Sequence, residues 1–451
     1  MNNLLIIGDI MIDSYIFVGI NKLANEAPIP VFSYKNTKNI LGGCGNVLEN
    51  MKVFNNNLYL ITVIGNDENG ANIKNLTKNL SNINLIIDYE RKTTIKNRII
   101  ADNKILLRYD NEDTFKISED IENIIIHKFD EIFDKIDLVV FSDYNKGVLT
   151  EKICKYIIEK CNKFNKVTLG DLKYNFNFYK NITITKPNLL EAKLYTKLKN
   201  IEDIHNYIIK NINCKYSIVT LGKDGISLNH NNKLFETIYE SNEVIDVTGA
   251  GDIVTAVISS LYFVKDIKTI LQIATYLGTL SVKKIGTYEL THEDILNSYK
   301  WIKNKYFTDD IIYHLKNSNL KIIFTNGCFD ILHTGHLNYL ESAKKLGDIL
   351  IVGINSDNSV KKLKGKNRPI NNLEDRILFL SKLDFIDFIV SFDEETPFNV
   401  IQKIKPDILI KGGDYKVEDI VGREFAKETM VLPFVDGKST TNILNKINII
   451  N

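Results

Sequence analysis

Two stretches of this 451-residue sequence gather the residue types that handle phosphate. In the first, Asp246-Val247-Thr248-Gly249-Ala250-Gly251-Asp252 runs into an apolar helical segment from Ile253 to Phe263. Glycines at a helix entrance let backbone N–H groups turn toward an anion, and the helix dipole favours negative charge there. Gly249, Ala250 and Gly251 are therefore an expected anion hole. Asp252 stands where it can take the proton of a hydroxyl attacking a γ-phosphate. In the second stretch, Thr325-Asn326-Gly327-Cys328-Phe329-Asp330 precedes His333-Thr334-Gly335-His336 and an amphipathic helix from Leu337 to Lys345. Imidazoles three residues apart at a helix start share one side and face its positive end. Such donors can hold α- and β-phosphates while pyrophosphate is displaced in line. The competing readings are an N-cap for Asp252 and a metal site completed by Cys328 for the two histidines.

Other segments supply the surroundings of such sites. Lys186-Pro187-Asn188-Leu189-Leu190-Glu191 puts an amide and a carboxylate at a helix start, suited to magnesium-bound nucleotide phosphates through water and, alone, a capping motif. Gly222 and Gly225 make a turn that can pass beside the nucleotide. Asp9 and Asp13, with Gly42, Gly43 and Asn46, pair acceptors with close-approach glycines, as polyol hydroxyls require. A phosphate already on the sugar needs cations, for which Arg98, Lys104, Arg108 and Lys146 are the candidates. In the second half, Lys364 and Lys366 belong to a cationic run, Arg376 lies on an expected helix, and Ser439-Thr440-Thr441 offers hydroxyls at another helix start.

Positioning these residues needs parallel strands with crossover helices. Short apolar runs at Leu4–Gly8, Leu58–Gly65, Leu138–Ser142, Lys166–Gly170, Ile182–Lys186 and Tyr216–Gly222 alternate with longer amphipathic stretches, the pattern of a doubly wound α/β domain. Pro30–Tyr34 and Ile95–Tyr109 read as antiparallel strands off that sheet, a small lid. The alternation restarts with Lys321–Thr325, Ile349–Asn355, Phe388–Ser391, Ile408–Lys411 and Met430–Pro433. The expected organisation is a domain over residues 1–305, a linker over 306–320 and a second domain over 321–451.

A formal net charge of +1 gives no global attraction to nucleic acid or to an anionic membrane, so phosphate recognition must be local. Five cysteines without a CxxC pair argue against a zinc ribbon or a disulfide framework. The opening Leu4-Leu5-Ile6-Ile7 run is broken by Gly8 and Asp9, and no apolar run is long enough for a membrane span, so a cytoplasmic location is expected.

Taken in order, Gly8-Asp9 with Asp13, Gly42-Gly43 with Asn46, Ser142-Asp143-Tyr144-Asn145-Lys146-Gly147, Asn188 with Glu191, and Gly249-Ala250-Gly251-Asp252 resemble the ribokinase (carbohydrate kinase) family. That resemblance implies Asp252 as catalytic base, Gly249 to Gly251 as anion hole, Asn188 to Glu191 as ATP segment, and Asp9, Asp13, Gly43 and Asn46 as sugar contacts. The HxGH element and the Ser-Thr-Thr segment resemble the cytidylyltransferase-like nucleotidyltransferases, implying a Rossmann-like domain. There His333 and His336 contact nucleotide phosphates, Lys364 or Lys366 and Arg376 assist, and Ser439 to Thr441 close over the triphosphate. Thr325, Asn326, Gly327, Phe329, Lys411 and Asp414 are its other expected nucleotide contacts.

With Leu363-Lys364-Gly365, Arg368-Pro369-Ile370 and Lys411-Gly412-Gly413-Asp414-Tyr415, the whole chain is similar to the family of bifunctional enzymes that join a heptose 7-phosphate kinase to a heptose 1-phosphate adenylyltransferase. The similarity implies phosphorylation of D-glycero-β-D-manno-heptose 7-phosphate at O1 with ATP. A separate phosphatase then acts, and AMP is transferred from ATP to heptose 1-phosphate, giving ADP-heptose for lipopolysaccharide core. ATP and Mg2+ are the implied cofactors, with no metal ligand directly assigned. Exposed lid strands make a homodimer the expected assembly. The alternatives are the same pair of reactions on another sugar or polyol phosphate with CTP, and a non-catalytic nucleotide-sugar sensor.

Overall fold

The computed structural model describes residues 1–451 except 103, 239–243, 285, 303–304, 414 and 434–451, and the backbone alone at 21–22. The chain forms two compact units, Met1–Leu290 and Thr291–Asn451.

The strands of the first unit are β1 (Asn3–Gly8), β2 (Ile10–Leu23), β3 (Pro30–Gly43), β4 (Asn57–Gly65), β5 (Ile83–Asp88), β6 (Ile95–Ala101), β7 (Lys104–Asn111), β8 (Leu138–Ser142), β9 (Val167–Asp171), β10 (Ile184–Thr185), β11 (Tyr216–Thr220), β12 (Ile226–His230) and β13 (Lys233–Thr237). Among the described residues they make a nine-stranded sheet in the order β13-β12-β11-β10-β9-β8-β1-β4-β5 and a separate four-stranded sheet in the order β3-β2-β6-β7. From β5 to β11 the large sheet is parallel, and β12 and β13 add an antiparallel edge. Leu4, Leu5, Ile6 and Ile7 are all fully buried, as in a central parallel strand covered on both faces. One face packs Leu5 and Ile7 into an apolar cluster with Ile125, Phe129, Ile157 and Ile208 of the crossover helices.

The expected strands of the large sheet are present. The expected Ile182–Lys186 strand shortens to Ile184–Thr185, leaving Lys186 outside the ladder. The lid differs from expectation in two ways. It includes β2, a 14-residue strand that starts next to Asp9, and β2 pairs parallel with β6 although its other neighbour, β3, is antiparallel. The mixed sheet arises because β2 leaves the large sheet at Gly8–Ile10 and is not part of a local hairpin with β6.

Strand order fixes where the site lies. β4 and β5 stand on one side of β1 while β8 and β9 stand on the other, so the winding reverses beside β1. Ligands in open α/β sheets bind at the carboxyl ends of strands next to such a reversal. Asp9, Asp143, Asp171 and Lys186 follow directly on, or close, β1, β8, β9 and β10.

The second unit carries β14 (Ile322–Gly327), β15 (Ile349–Asn355), β16 (Phe388–Phe392), β17 (Ile408–Gly412) and β18 (Glu428–Leu432) in a parallel sheet ordered β16-β15-β14-β17-β18. Its winding reverses at β14, whose carboxyl end opens on the HxGH segment. The expected linker carries the helix Asp309–Lys316, and the helix His292–Trp301, expected within the first domain, precedes it; both join this unit. Lys300 pairs with Asp387 at 3.2 Å, and Phe307 N donates to Ile389 O at 3.0 Å. The structural division therefore falls at Leu290/Thr291, ahead of the expected linker at 306–320.

Two candidate phosphate-transfer sites

Asp252 opens the helix Ala250–Leu261 behind Gly249, whose φ of 81° is the left-handed conformation that glycine adopts without strain. A Cβ there would also lie 2.8 Å from Asn46 Nδ2. Asp252 is 6 % exposed. Asn46 Nδ2 donates to its Oδ2 at 2.6 Å and the Tyr144 hydroxyl donates to its Oδ1. Burial pushes the Asp252 carboxyl up to about 6, with these two hydrogen bonds acting in the opposite direction. At neutral pH it is a carboxylate close to the proton affinity that a base at this pH needs.

Asp252 faces a cavity of about 770 Å³ that also exposes Gly249 to Gly251, Asn188 to Glu191, Gly222 and Gly225. The structure thus brings together the kinase anion and nucleotide residues expected from the sequence. Asn188 and Glu191 form a reciprocal capping box, Glu191 N to Asn188 Oδ1 at 2.8 Å and Asn188 N to Glu191 Oε2 at 2.7 Å. The other Glu191 oxygen meets Lys173 Nζ at 2.9 Å. Opposite lies Lys186, buried, its Nζ 3.0 Å from Asp171 Oδ1 and 3.8 Å from where a side chain on Gly251 would begin. Lys186 is a buried cation beside the anion hole that sequence reasoning quoted without giving it a role.

The expected sugar residues divide. Asn46 touches Asp252, as above. Asp9 does not present its carboxylate to the cavity: it accepts Tyr144 N at 2.8 Å, Lys146 N at 3.1 Å and Val148 N at 3.2 Å, and so shapes the loop after β8. Asp13 is held in a buried ion pair with Arg98 at 2.6 Å. Gly42 lies against Asp13, and Gly43, at φ 59°, lies where a Cβ would come 2.3 Å from Asp9 O. Gly43 thus allows close backbone packing, and Gly42 gives room to the Asp13 side chain. Among the cations, Lys146 pairs with Glu112 at 2.6 Å and Arg108 is bidentate to Asp110 at 2.9 and 2.6 Å, while Lys104 begins the exposed strand β7.

In the second unit, His333 is the N-cap of the helix Thr334–Lys344 and His336 lies in its first turn. Their rings stack, and Phe329 packs edge-on to His336 at 5.4 Å. Burial, and then the neighbouring His333 and Lys364, push the His336 imidazole down to about 4, so it is neutral at pH 7 and acts as an N–H donor. Asn326 Oδ1 accepts from Lys411 Nζ at 2.7 Å, and burial lowers that ammonium to about 8.

Three residues expected at the nucleotide are engaged within the protein. Thr325 is fully buried and shares a hydrogen bond with the Tyr339 hydroxyl at 2.5 Å, because an inward position on a central strand must satisfy its polar atom locally. Phe329 is core. Arg376 is 1 % exposed and spends its guanidinium on Asn371 O, Cys328 O, Asn355 O and Asp357. Lys364 and Lys366 are exposed at the end of the helix Asp357–Lys364. Asp414 and Ser439, Thr440 and Thr441 lie outside the described residues. Among the described residues no three His, Cys, Asp or Glu side chains are grouped so as to hold a metal ion.

Two family models match the chain in succession. Residues 1–294 match the family model for pfkB family carbohydrate kinases, and residues 324–446 match the cytidylyltransferase-like model. The bifunctional protein HldE of Campylobacter fetus subsp. fetus is 41 % identical over 99 % of this chain and 100 % of its own length. The HldE of Helicobacter hepaticus is 38 % identical over 98 % of this chain and 96 % of its own.

The chain belongs to the HldE family of bifunctional proteins.

The first unit also shares its fold with Escherichia coli phosphofructokinase-2, at a TM-score of 0.57 and 15 % identity over 67 % of this chain and 99 % of that one. As an HldE-family member the chain is a transferase with a carbohydrate kinase and a nucleotidyltransferase on one polypeptide. No helix among the described residues is long and apolar enough to cross a membrane. Besides Lys186, two residues of this HldE-family kinase site escaped the sequence reading. Tyr144 touches the base directly, and Lys96 Nζ lies 5.2 Å from the centre of the Tyr144 ring. Tyr144 was legible as part of Ser142-Asp143-Tyr144-Asn145-Lys146-Gly147, but nothing local to that motif points to Asp252.

Proposed function

We propose that the Asp252 site transfers the γ-phosphate of ATP to O1 of D-glycero-β-D-manno-heptose 7-phosphate, and that the His333/His336 site transfers AMP from ATP to D-glycero-β-D-manno-heptose 1-phosphate, releasing pyrophosphate and ADP-heptose. The observation that carries the first step is a buried carboxylate at a glycine-lined helix entrance facing a nucleotide-sized cavity. As O1 attacks the γ-phosphorus, Asp252 takes its proton and ADP leaves. The N–H groups of Gly249 to Gly251 and the Lys186 ammonium face the charge that builds on the transferring group.

A magnesium ion held at the nucleotide phosphates would offset their charge. The cavity-facing carboxylates Asp171 and Glu191 are oxygen donors of the kind this cation takes through water, which fits the site to it. Lys96, which lacks an ion pair among the described residues, is the cation a sugar 7-phosphate would meet without breaking one.

In the second step an oxygen of the sugar 1-phosphate attacks the α-phosphorus. His336 and its neighbour His333 donate to the phosphate oxygens, with Lys364 and Lys411 completing the grip. A separate phosphatase removes the 7-phosphate between the steps. Use of ATP for nucleotide-sugar synthesis supports a cytoplasmic location, and β7, exposed along its whole length, offers an edge to a second copy.

Phosphorus NMR of purified protein with ATP, magnesium and heptose 7-phosphate tests the reading. A sugar 1,7-bisphosphate should form, and with added phosphatase and more ATP, pyrophosphate and ADP-heptose should follow. Asp252→Asn should lose the first product by about 10²–10⁴-fold and keep the second activity when heptose 1-phosphate is supplied. No bisphosphate from wild-type protein sinks the kinase assignment, and turnover of CTP in preference to ATP overturns the choice of nucleotide.

A further inference from the structure

Resting on the reading of Asp252 as the kinase base, we propose that Tyr144 is a positioning residue for phosphoryl transfer: its hydroxyl orients the Asp252 carboxylate and stabilises it in the ionised form that accepts the sugar proton.

The geometry is specific. Each Asp252 oxygen has its own donor, Asn46 Nδ2 on Oδ2 and the Tyr144 hydroxyl on Oδ1. A carboxylate has about four acceptor sites, so two remain for the sugar hydroxyl, and the two donors fix which way they point. The Tyr144 backbone is tied to Asp9 through its amide, and Asp143 beside it accepts the Tyr179 hydroxyl at 2.8 Å. The ring is clamped as well: Lys96 of the lid lies 5.2 Å from its centre and Lys173 lies 5.0 Å away. Cation–π contacts from two separate elements hold an aromatic ring at one tilt. Lys173 is in turn bonded to Glu191 of the capping box. The phenol therefore links the lid, the nucleotide segment and the base.

The electrostatics agree in sign. Burial disfavours the Asp252 charge, and the Tyr144 hydrogen bond is the largest effect opposing it, followed by Asn46. Asp171 adds repulsion and Lys186 attraction. Lys173 and the Cys44 thiol also sense the Asp252 charge, from the β9–β10 connection and from the helix Cys44–Met51. Removing a donor to the ionised form raises the carboxyl further. The base is then protonated over a wider range, so activity falls at low pH and returns as pH rises.

The test is the pH profile of kcat/KM for sugar phosphorylation in full-length Tyr144→Phe beside wild type and Asp252→Asn. The expected result is an acid limb displaced upward by about one pH unit, a loss of about fivefold near pH 6 that approaches tenfold at lower pH, and recovery toward wild type above pH 8. Asn46→Ser, which removes the donor to the other oxygen, should move the limb in the same direction and keeps the inference testable if the tyrosine variant folds poorly. A Tyr144→Phe profile parallel to wild type, or a loss equal at every pH, overturns the positioning role while Asp252→Asn still reports the base. An active Asp252→Asn removes the base assignment and this inference with it.

Discussion

The imidazole rings of His333 and His336 stack with centroids 3.8 Å apart and planes inclined by 24°. Burial disfavours a charge on His336, and a charged His333 at that distance would add repulsion, which is why His336 falls to about 4. A triphosphate placed against the pair supplies the missing counter-charge.

Nucleotide binding at the second site should therefore take up a proton. The His336 pKa is low in the free protein and rises in the complex, so affinity should grow as pH falls from 7 toward 5 and level off once the free ring also titrates. Calorimetry of a non-hydrolysable ATP analogue near pH 6, in two buffers of different ionisation enthalpy, reads the uptake. His336→Ala should remove it, and should also slow adenylyl transfer by roughly 10²–10³-fold while sparing sugar phosphorylation. Equal proton uptake in wild type and variant would show that His336 does not titrate on binding.

Arg376 should matter through folding. Its guanidinium donates to Cys328 O at 2.6 Å and Asn355 O at 2.9 Å, joining the ends of β14 and β15, and pairs with Asp357 at 2.7 Å. Arg376→Met leaves those carbonyls unsatisfied, at a cost of about 3–5 kcal/mol to the second unit. Arg376→Lys should rescue little, because one ammonium cannot span a planar fork. Thermal melts and amide exchange in the Cys328–Asp330 loop check this. A variant with wild-type stability but weakened nucleotide affinity would return Arg376 to the phosphate-contact role first expected of it.

What the sequence made legible follows from how local each feature is. The Gly249–Asp252 turn and the His333–His336 pair are helix entrances, written in consecutive residues, and the structure places them at strand ends beside the winding reversals. Asp9 and Asp13 looked equivalent as carboxylates after the first strand. Their separate duties, three backbone amides for one and Arg98 for the other, depend on β8 lying beside β1 and β6 beside β2. Tyr144 reaches Asp252 across 108 residues of chain. Lys96 reaches Tyr144 only because the lid includes β2, the strand that alternation did not reveal. Arg376 read as a phosphate contact because a guanidinium on a helix near such a site can reach an anion, and its burial exists only once the loop carbonyls converge on it.

The cation that reads the phosphate already on the sugar is the last point the structure makes testable. Of the basic residues nominated from sequence, Arg98, Lys146 and Arg108 each hold a carboxylate, and Lys104 begins an exposed strand. Lys96 has no ion pair among the described residues. Burial lowers its ammonium pKa, Asp13 opposes that, and the nearby Arg108 and Lys146 charges push the same way as burial. An arriving phosphate dianion relieves both effects, and it does so one tyrosine ring away from Asp252, a separation of the order of a sugar ring. Lys96→Met should raise KM for the sugar phosphate by about 10–100-fold, the worth of one charge-assisted hydrogen bond, with kcat changed much less. The KM for ATP should not move, and turnover of the unphosphorylated sugar should fall far less than that of the phosphorylated one, because Lys173 still holds the Tyr144 ring. Steady-state kinetics with the two sugars decides the matter: an equal loss on both would mean that Lys96 serves the Tyr144 clamp, and no loss on either would assign the phosphate to another cation.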